Sequence, residues 1–213
     1  MQHEQIYFKN REVAAFRLLD ILPIDSMKLE EWTVLATSYG GVPIAKIISQ
    51  KLGGNFDLML SSKIMAENNE DCEIAIVTET EEVVIHEELA KSFEISLDFI
   101  FEKSKEVYEK QLLRTIKLYR KNKKISNLEN KNVLLVDEGL NTGLTMMACI
   151  KTAINLGAKS VSVATPILPS ATVPTIESIA DDLYFVKKLD HFVFIDFYYD
   201  KLENIDFEDI KKF

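Results

Sequence analysis

The sequence of 213 residues is short of the features that mark several protein classes. Its two cysteines, Cys72 and Cys149, have no metal-ligand spacing, so neither a disulfide framework nor a thiolate metal cluster is expected. Both read as ordinary thiols of a reducing compartment. No apolar run approaches the roughly 20 residues that cross a bilayer. Residues 1–8 lack the basic stretch and apolar run of a secretory signal. A cytoplasmic protein with no membrane partner is therefore the expectation. A basic excess is also missing: 25 Lys and Arg against 34 Asp and Glu give a net charge of −9. That balance argues against a general nucleic-acid binder. The histidines His3, His86 and His191 form no recognisable cluster. There is no internal repeat and no low-complexity linker. With 47% hydrophobic and 28% charged residues, the chain reads as one globular domain over 1–213, long enough to bury a substantial core.

What is present alternates between strand and helix patterns. Residues 11–22 have helical apolar spacing, and residues 32–37 read as a buried strand. Gly40 and Gly41 then punctuate the chain before a helix over 42–52, which Gly53 and Gly54 close. A short strand is expected over 56–61. Residues 73–78 and 82–85, separated by three residues, read as a hairpin or flap. Residues 96–123 carry Leu97, Ile100, Phe101, Val107, Leu112, Ile116 and Tyr119 at mostly helical spacing, which predicts a long amphipathic helix. The basic run 121–124 reads as its solvated end. Residues 132–136 form an apolar strand, 137–142 a turn, and 143–156 a helix closed by Gly157. A strand over 160–165 ends before Pro166. Two βαβ units imply an α/β fold with a mostly parallel central sheet flanked by helices. Ligands of such sheets sit beyond the carboxyl ends of the strands, so the loops after Thr37 and Val136 can face one site.

The densest chemistry lies in residues 133–145, VLLVDEGLNTGLT. Asp137 and Glu138 leave the end of a buried strand, where bare charges are costly unless something uses them. Glycines and threonines follow at the start of a helix, whose free N–H groups attract anions. Thr142 and Thr145 add hydroxyl donors. One end of this string favours hydroxyls or a metal, the other a phosphate, and a sugar phosphate offers both. The plainer alternative is a strand–turn–helix with Thr142 as the helix cap and a polar turn before it. No lysine follows the second glycine as in a Walker A loop, and the dinucleotide pattern G-x-G-x-x-G is absent.

The whole string resembles the signature of type I phosphoribosyltransferases, which bind phosphoribosyl pyrophosphate (PRPP). The resemblance implies that Asp137 and Glu138 hold the ribose 2- and 3-hydroxyls. It implies that Asn141, Thr142, Gly143, Leu144 and Thr145 cradle the 5-phosphate. Residues 37–45, TSYGGVPIA, are similar to the family's pyrophosphate loop, with Ser38, Tyr39, Gly40 and Gly41 at its tip. Tyr39 stands where close relatives have arginine, so one cation is missing. Asn141 stands where relatives often have Asp or Ala, and it cannot act as a base. Residues 58–63 resemble a strand ending in a lysine that reaches the pyrophosphate, here Lys63. Residues 8–14 and 197–200 match the two ends of a poorly characterised bacterial branch, so the likeness covers nearly the whole chain.

By this resemblance the core spans about 31–165, and a small hood from about 1–30 and 166–213 selects the acceptor. Asp190, Phe192, Phe197, Tyr198 and Tyr199 could meet a ring there or belong to an aromatic-rich buried strand. Arg11 could contact substrate or pair with acidic neighbours. The implied reaction is Mg²⁺-dependent transfer of the phosphoribosyl group from PRPP to a nitrogen base, with Mg²⁺ held by Asp137 and Glu138 mainly through substrate oxygens. The acceptor is a nucleobase-like partner of unassigned identity, and the implied assembly is a homodimer. The other reading is a non-catalytic PRPP- or nucleotide-binding regulatory or interaction protein, which the Tyr39 and Asn141 departures favour. A phosphotransfer protein using Asp137 as nucleophile is a weaker reading, because the loop builds a phosphate cradle beside the carboxylates.

Overall fold

Strand β1 (Trp32–Ala36) and strand β6 (Asn132–Val136) are apolar along almost their whole length, a pattern that requires cover on both faces. They pair in parallel at the centre of a five-stranded sheet of order β2-β1-β6-β7-β8, completed by β2 (Asn55–Leu58), β7 (Ser160–Pro169) and β8 (Asp182–Leu189). The structure, a computed structural model, describes residues 6–66, 69–121 and 123–211. Helices α1 (Arg11–Ile21), α2 (Ile24–Met27) and α3 (Val42–Leu52) precede β2 or link it to β1. A second, antiparallel sheet of β3 (Ser61–Ala66), β4 (Asn69–Thr78) and β5 (Val83–Ile85) follows. Then come α4 (Glu87–Ser92), α5 (Leu97–Val107) and α6 (Leu113–Arg120), with α7 (Leu144–Asn155), α8 (Val173–Glu177) and α9 (Phe207–Ile210) distributed through the second half. The expected α/β architecture with a parallel central sheet is present. No described helix is long and apolar enough to cross a membrane.

Three sequence expectations are corrected by packing. The strand expected over 56–61 is two strands. β2 ends at Leu58, and Lys63 lies on β3 in the other sheet, paired with β4. The parallel sheet continues past residue 165. β7 runs through Pro166, and its register with β8 steps from Thr165↔Phe185 to Ile167↔Lys187, passing over that proline, which has no N–H to donate. β8, half-exposed and studded with lysines, adds a fifth strand from the segment assigned to the hood. The aromatic segment 192–199 is not a strand. It contains a 3₁₀ turn (Ile195–Tyr198), and only Tyr199 makes a bridge, to Phe8.

The long helix forms, but with a π turn over Tyr108–Leu112 between α5 and α6. A step of five residues, from buried Val107 to buried Leu112, overshoots the stripe of a regular α-helix. The wider turn restores the phase, so that Ile100, Val107 and Leu112 share one apolar cluster. Leu97 and Phe101, counted on that stripe from the sequence, point to solvent. The helix stops at Arg120, with Lys121 left-handed at φ 49°.

Arg120 is the joint between the sheets. Its guanidinium donates to Glu79 at 2.5 and 2.8 Å, to Asp57 at 2.6 Å and to the Leu58 carbonyl at 2.6 Å. Ser126 completes the shell on Asp57 through its N–H and hydroxyl. The turn from β2 to β3 is thus clamped to the β4–β5 turn. Replacing Arg120 by Ala leaves two carboxylates buried without their cation, which should cost about 3–5 kcal/mol. Arg120→Lys should recover little, because an ammonium cannot reproduce the planar fork. Urea unfolding of both variants checks this; a loss below about 1 kcal/mol, the value of an exposed pair, contradicts it.

Candidate active site

β1 and β6 run side by side with Ala36 opposite Val136, so the loops that leave them emerge together. Asp137 follows directly and is buried, 7% exposed. Its Oδ2 accepts from the Thr37 hydroxyl at 2.8 Å, and its Oδ1 from the Ser38 hydroxyl at 2.5 Å and the Glu138 N–H at 2.8 Å. Burial raises the pKa of its carboxyl, and these hydrogen bonds oppose the rise. Glu138 turns the other way and accepts from Arg11 Nε at 2.5 Å. Its pKa is raised by burial first and by Asp137 second, with Arg11 pulling it down. Arg11 reaches on to the Glu203 carbonyl at 2.8 Å, and the Tyr199 hydroxyl donates to the Glu138 carbonyl at 2.7 Å. Of the two roles open to Arg11, pairing with an acidic neighbour is the one observed.

The double glycine lets this loop lie close against the end of β6. A Cβ on Gly40 would stand 2.1 Å from Glu138 Oε1, and one on Gly41 would stand 2.8 Å from the Val136 carbonyl oxygen. Ser38 Oγ accepts the Gly41 N–H at 3.0 Å while donating to Asp137, which closes the loop onto the strand end. Tyr39 turns out of this loop. Its ring packs against Phe207 with centroids 6.4 Å apart, and burial raises the pKa of its hydroxyl.

The other loop ends in an anion-type helix start. Gly143, at φ 78°, caps α7, so Thr142 is not the cap residue. The Thr142 hydroxyl instead accepts the Leu144 N–H at 3.3 Å. A side chain on Gly143 would be strained by its φ and would meet Thr172 Cγ2 at 2.6 Å. The first-turn N–H groups of α7 open beside Asn141 and Thr142, which are exposed.

A cleft of about 520 Å³ brings Ser38, Lys63, Asp137, Glu138 and residues 141–145 together. Met65, Cys72, Glu73 and Leu89 form its far wall, on the side of the antiparallel sheet, and Ile195 contributes from the C-terminal segment. Tyr39, Gly40 and Gly41 do not line it. Lys63 extends from β3 with its ammonium 2.8 Å from Glu73. A second cavity of about 480 Å³ lies beyond Arg11, bounded by Asn10, Pro43, Lys201 and Asn204. Glu73 and the Tyr199–Glu138 bond have no signal in the sequence as site features. Thr37 has a signal, since it ends the strand that pairs beside Asp137.

The remaining candidates have structural partners. Asp190 accepts from the Ser170 hydroxyl at 2.6 Å, Phe192 packs on Tyr198, and Phe197 meets Phe194 edge-on. His86 caps α4, the His191 carbonyl accepts from Tyr198, and His3 lies outside the described residues. Cys72 and Cys149 are free thiols, and burial pushes the Cys149 pKa far up. Among the described residues no three His, Cys, Asp or Glu side chains gather as a metal cage.

A family model for the phosphoribosyl transferase domain matches residues 1–201. The chain belongs to this family. Its fold is similar to that of protein TT1426 from Thermus thermophilus, with a TM-score of 0.77 and 23% identity over 97% of each chain. It is also similar to a purine phosphoribosyltransferase from Pyrococcus horikoshii Ot3, with a TM-score of 0.51 and 17% identity over 94% of this chain and 96% of that one. The phosphoribosyl transferase domain thus spans the segments that build the cleft, from Arg11 to Tyr199.

The raised carboxyl of Glu138 gives a pH signature with a definite sign. Between its ordinary pKa of about 4.3 and its higher folded value, the unfolded chain has lost a proton that the folded chain keeps. Wild-type stability relative to Glu138→Gln should therefore fall as pH rises through that window and then level off. Urea midpoints of both proteins across pH 4–8 read this out. A difference that grows with pH would contradict the burial of this carboxyl.

Proposed function

We propose that the cleft binds PRPP and that the protein transfers its 5-phosphoribosyl group to a nitrogen base. The observation that carries this reading is one cleft with two unlike ends: the Asp137–Glu138 pair, and the glycine-capped start of α7. The carboxylates suit a diol and the helix start suits a phosphate. Family membership supports the same chemistry.

In this reading residues 141–145 bind the 5-phosphate through the N–H groups of the α7 start and the hydroxyls of Thr142 and Thr145. Glu138 and Asp137 accept the ribose hydroxyls, and Lys63 faces the pyrophosphate. The C1–oxygen bond breaks with its electron pair leaving on pyrophosphate. The acceptor nitrogen bonds to C1 and loses its proton to water. Positive charge grows on the ribose ring, so the fixed carboxylates below it stabilise the transition state, as in glycosyl transfer generally. No side chain of the 141–145 turn can act as a base, so positioning supplies most of the rate. The donor set also fits Mg²⁺. The protein offers two carboxylates and, among the described residues, no cage, and Mg²⁺ is usually held by few carboxylates together with substrate phosphates. Asp137 and Glu138 would hold it, and when bound it would neutralise charge on the departing pyrophosphate.

A second reading, a non-catalytic PRPP- or nucleotide-binding regulatory or interaction protein, is favoured by Tyr39, which packs on Phe207 and leaves the Ser38–Gly41 tip without a cation. Incubating the protein with Mg²⁺-PRPP and a panel of bases, while following pyrophosphate release and binding heat, separates the two. Binding without turnover on any base supports the second reading. No binding at all removes both. Asp137→Asn combined with Glu138→Gln should abolish PRPP binding in calorimetry and leave the circular dichroism unchanged; unaltered affinity would show that the pair does not hold the ribose.

A further inference from the structure

β3 and β4 are antiparallel, and regular pairing would send alternate side chains to opposite faces. Pairing is regular from Ser61↔Thr78 to Ile64↔Ala75, but Met65 then lies opposite Glu73 and not Ile74. At this step β4 holds one extra residue, a β-bulge, and the register shifts again before Ala66↔Asn69. Its effect on the faces is plain. Ile74 and Ala75 are consecutive, yet both are buried in the same apolar cluster as Ile64 and Ala66. Without the extra residue Glu73 would oppose Ala66 and share its apolar face. With the bulge, Glu73 opposes Met65 and joins the Lys63 face, where both line the cleft that holds residues 141–145. There its carboxylate meets the Lys63 ammonium at 2.8 Å, with the Glu73 side chain 14% exposed and that of Lys63 62% exposed. Bulges beside clefts characteristically re-aim a side chain in this way.

We propose that Glu73 is the positioning residue for Lys63, holding its ammonium where a pyrophosphate group would bind; this rests on the reading of the cleft as a PRPP site. Lysine is a point charge on a flexible four-carbon stem. An exposed lysine left to itself must be ordered by the ligand, which weakens binding. Glu73 sits on the better-buried strand of the pair and orders the ammonium in advance. It acts through Lys63 and need not touch the substrate. Direct repulsion between Glu73 and an anion works in the opposite sense, so the sign of the effect decides between the two.

Calorimetry with Mg²⁺-PRPP, Mg²⁺-pyrophosphate and ribose 5-phosphate tests the proposal on wild type, Lys63→Met, Glu73→Gln, Glu73→Asp and the Lys63→Met/Glu73→Gln double variant. Lys63→Met and Glu73→Gln should each weaken PRPP and pyrophosphate about tenfold, the worth of one charge-assisted hydrogen bond. Ribose 5-phosphate, which lacks the pyrophosphate, should bind all variants equally and thereby report an intact fold. Glu73→Asp should recover part of the loss, and the double variant should be no weaker than Lys63→Met. If Glu73→Gln leaves PRPP affinity unchanged or tightens it while ribose 5-phosphate still binds, the positioning role is overturned. A double variant weaker than Lys63→Met would overturn it as well. If wild type binds neither PRPP nor ribose 5-phosphate, the reading of the cleft fails, and the role of Glu73 fails with it.

Discussion

A carboxylate held inside the protein at the end of a fully buried strand constrains everything around it. Asp137 is accommodated because three donors converge on it, and two of them, Thr37 and Ser38, belong to the neighbouring loop. Alone, a buried carboxylate would take up a proton or unfold the strand end. The hydrogen bonds therefore fix the β1 loop against the β6 loop. At that distance a side chain at position 41 would meet the Val136 carbonyl, and one at position 40 would displace the Glu138 carboxylate. Glu138, turned away by the same geometry, draws in Arg11 from α1 and Tyr199 from the C-terminal segment. Segments almost two hundred residues apart thus meet on one carboxylate pair.

The antiparallel sheet forms the opposing wall, and its placement has an electrostatic cause of its own. Arg120 grips Asp57 on one sheet's edge and Glu79 beside the other. The π turn lets α5 and α6 lie along this junction with one continuous apolar face. Between the sheets the balance of charge matters. Among the described residues lining the cleft, Glu73, Asp137 and Glu138 face a single lysine, Lys63. An anionic ligand entering this cleft depends on backbone N–H groups, on that lysine and on any cation it brings with it.

Much of this was legible in the sequence because local patterns agreed with the tertiary result. Residues 132–155 read as strand, turn and helix from apolar runs and glycine alone, and they form β6 and α7. The pair Asp137–Glu138 stood out because charges at a buried strand end need a reason. The rest depends on contacts that spacing does not encode. Lys63 lies on a second sheet because β2 ends at Leu58, whose carbonyl is clamped by Arg120, more than sixty residues later. Tyr39 leaves the cleft because Phe207 offers it an apolar partner, a contact set by the far end of the chain. Glu73 reaches the cleft only through a one-residue bulge, and β8 hides among lysines and half-exposed positions without a clean period.

The central claim is that residues 137–145 recognise a sugar phosphate. Mapping backbone amide shifts on titration with ribose 5-phosphate tests it most directly, since it needs neither turnover nor an acceptor. The largest changes should fall on the amides of Thr142, Gly143, Leu144 and Thr145, with smaller ones at Asp137 and Glu138. Changes confined elsewhere, for example around Asn10, Lys201 and Asn204, or no saturable change at all, would contradict it.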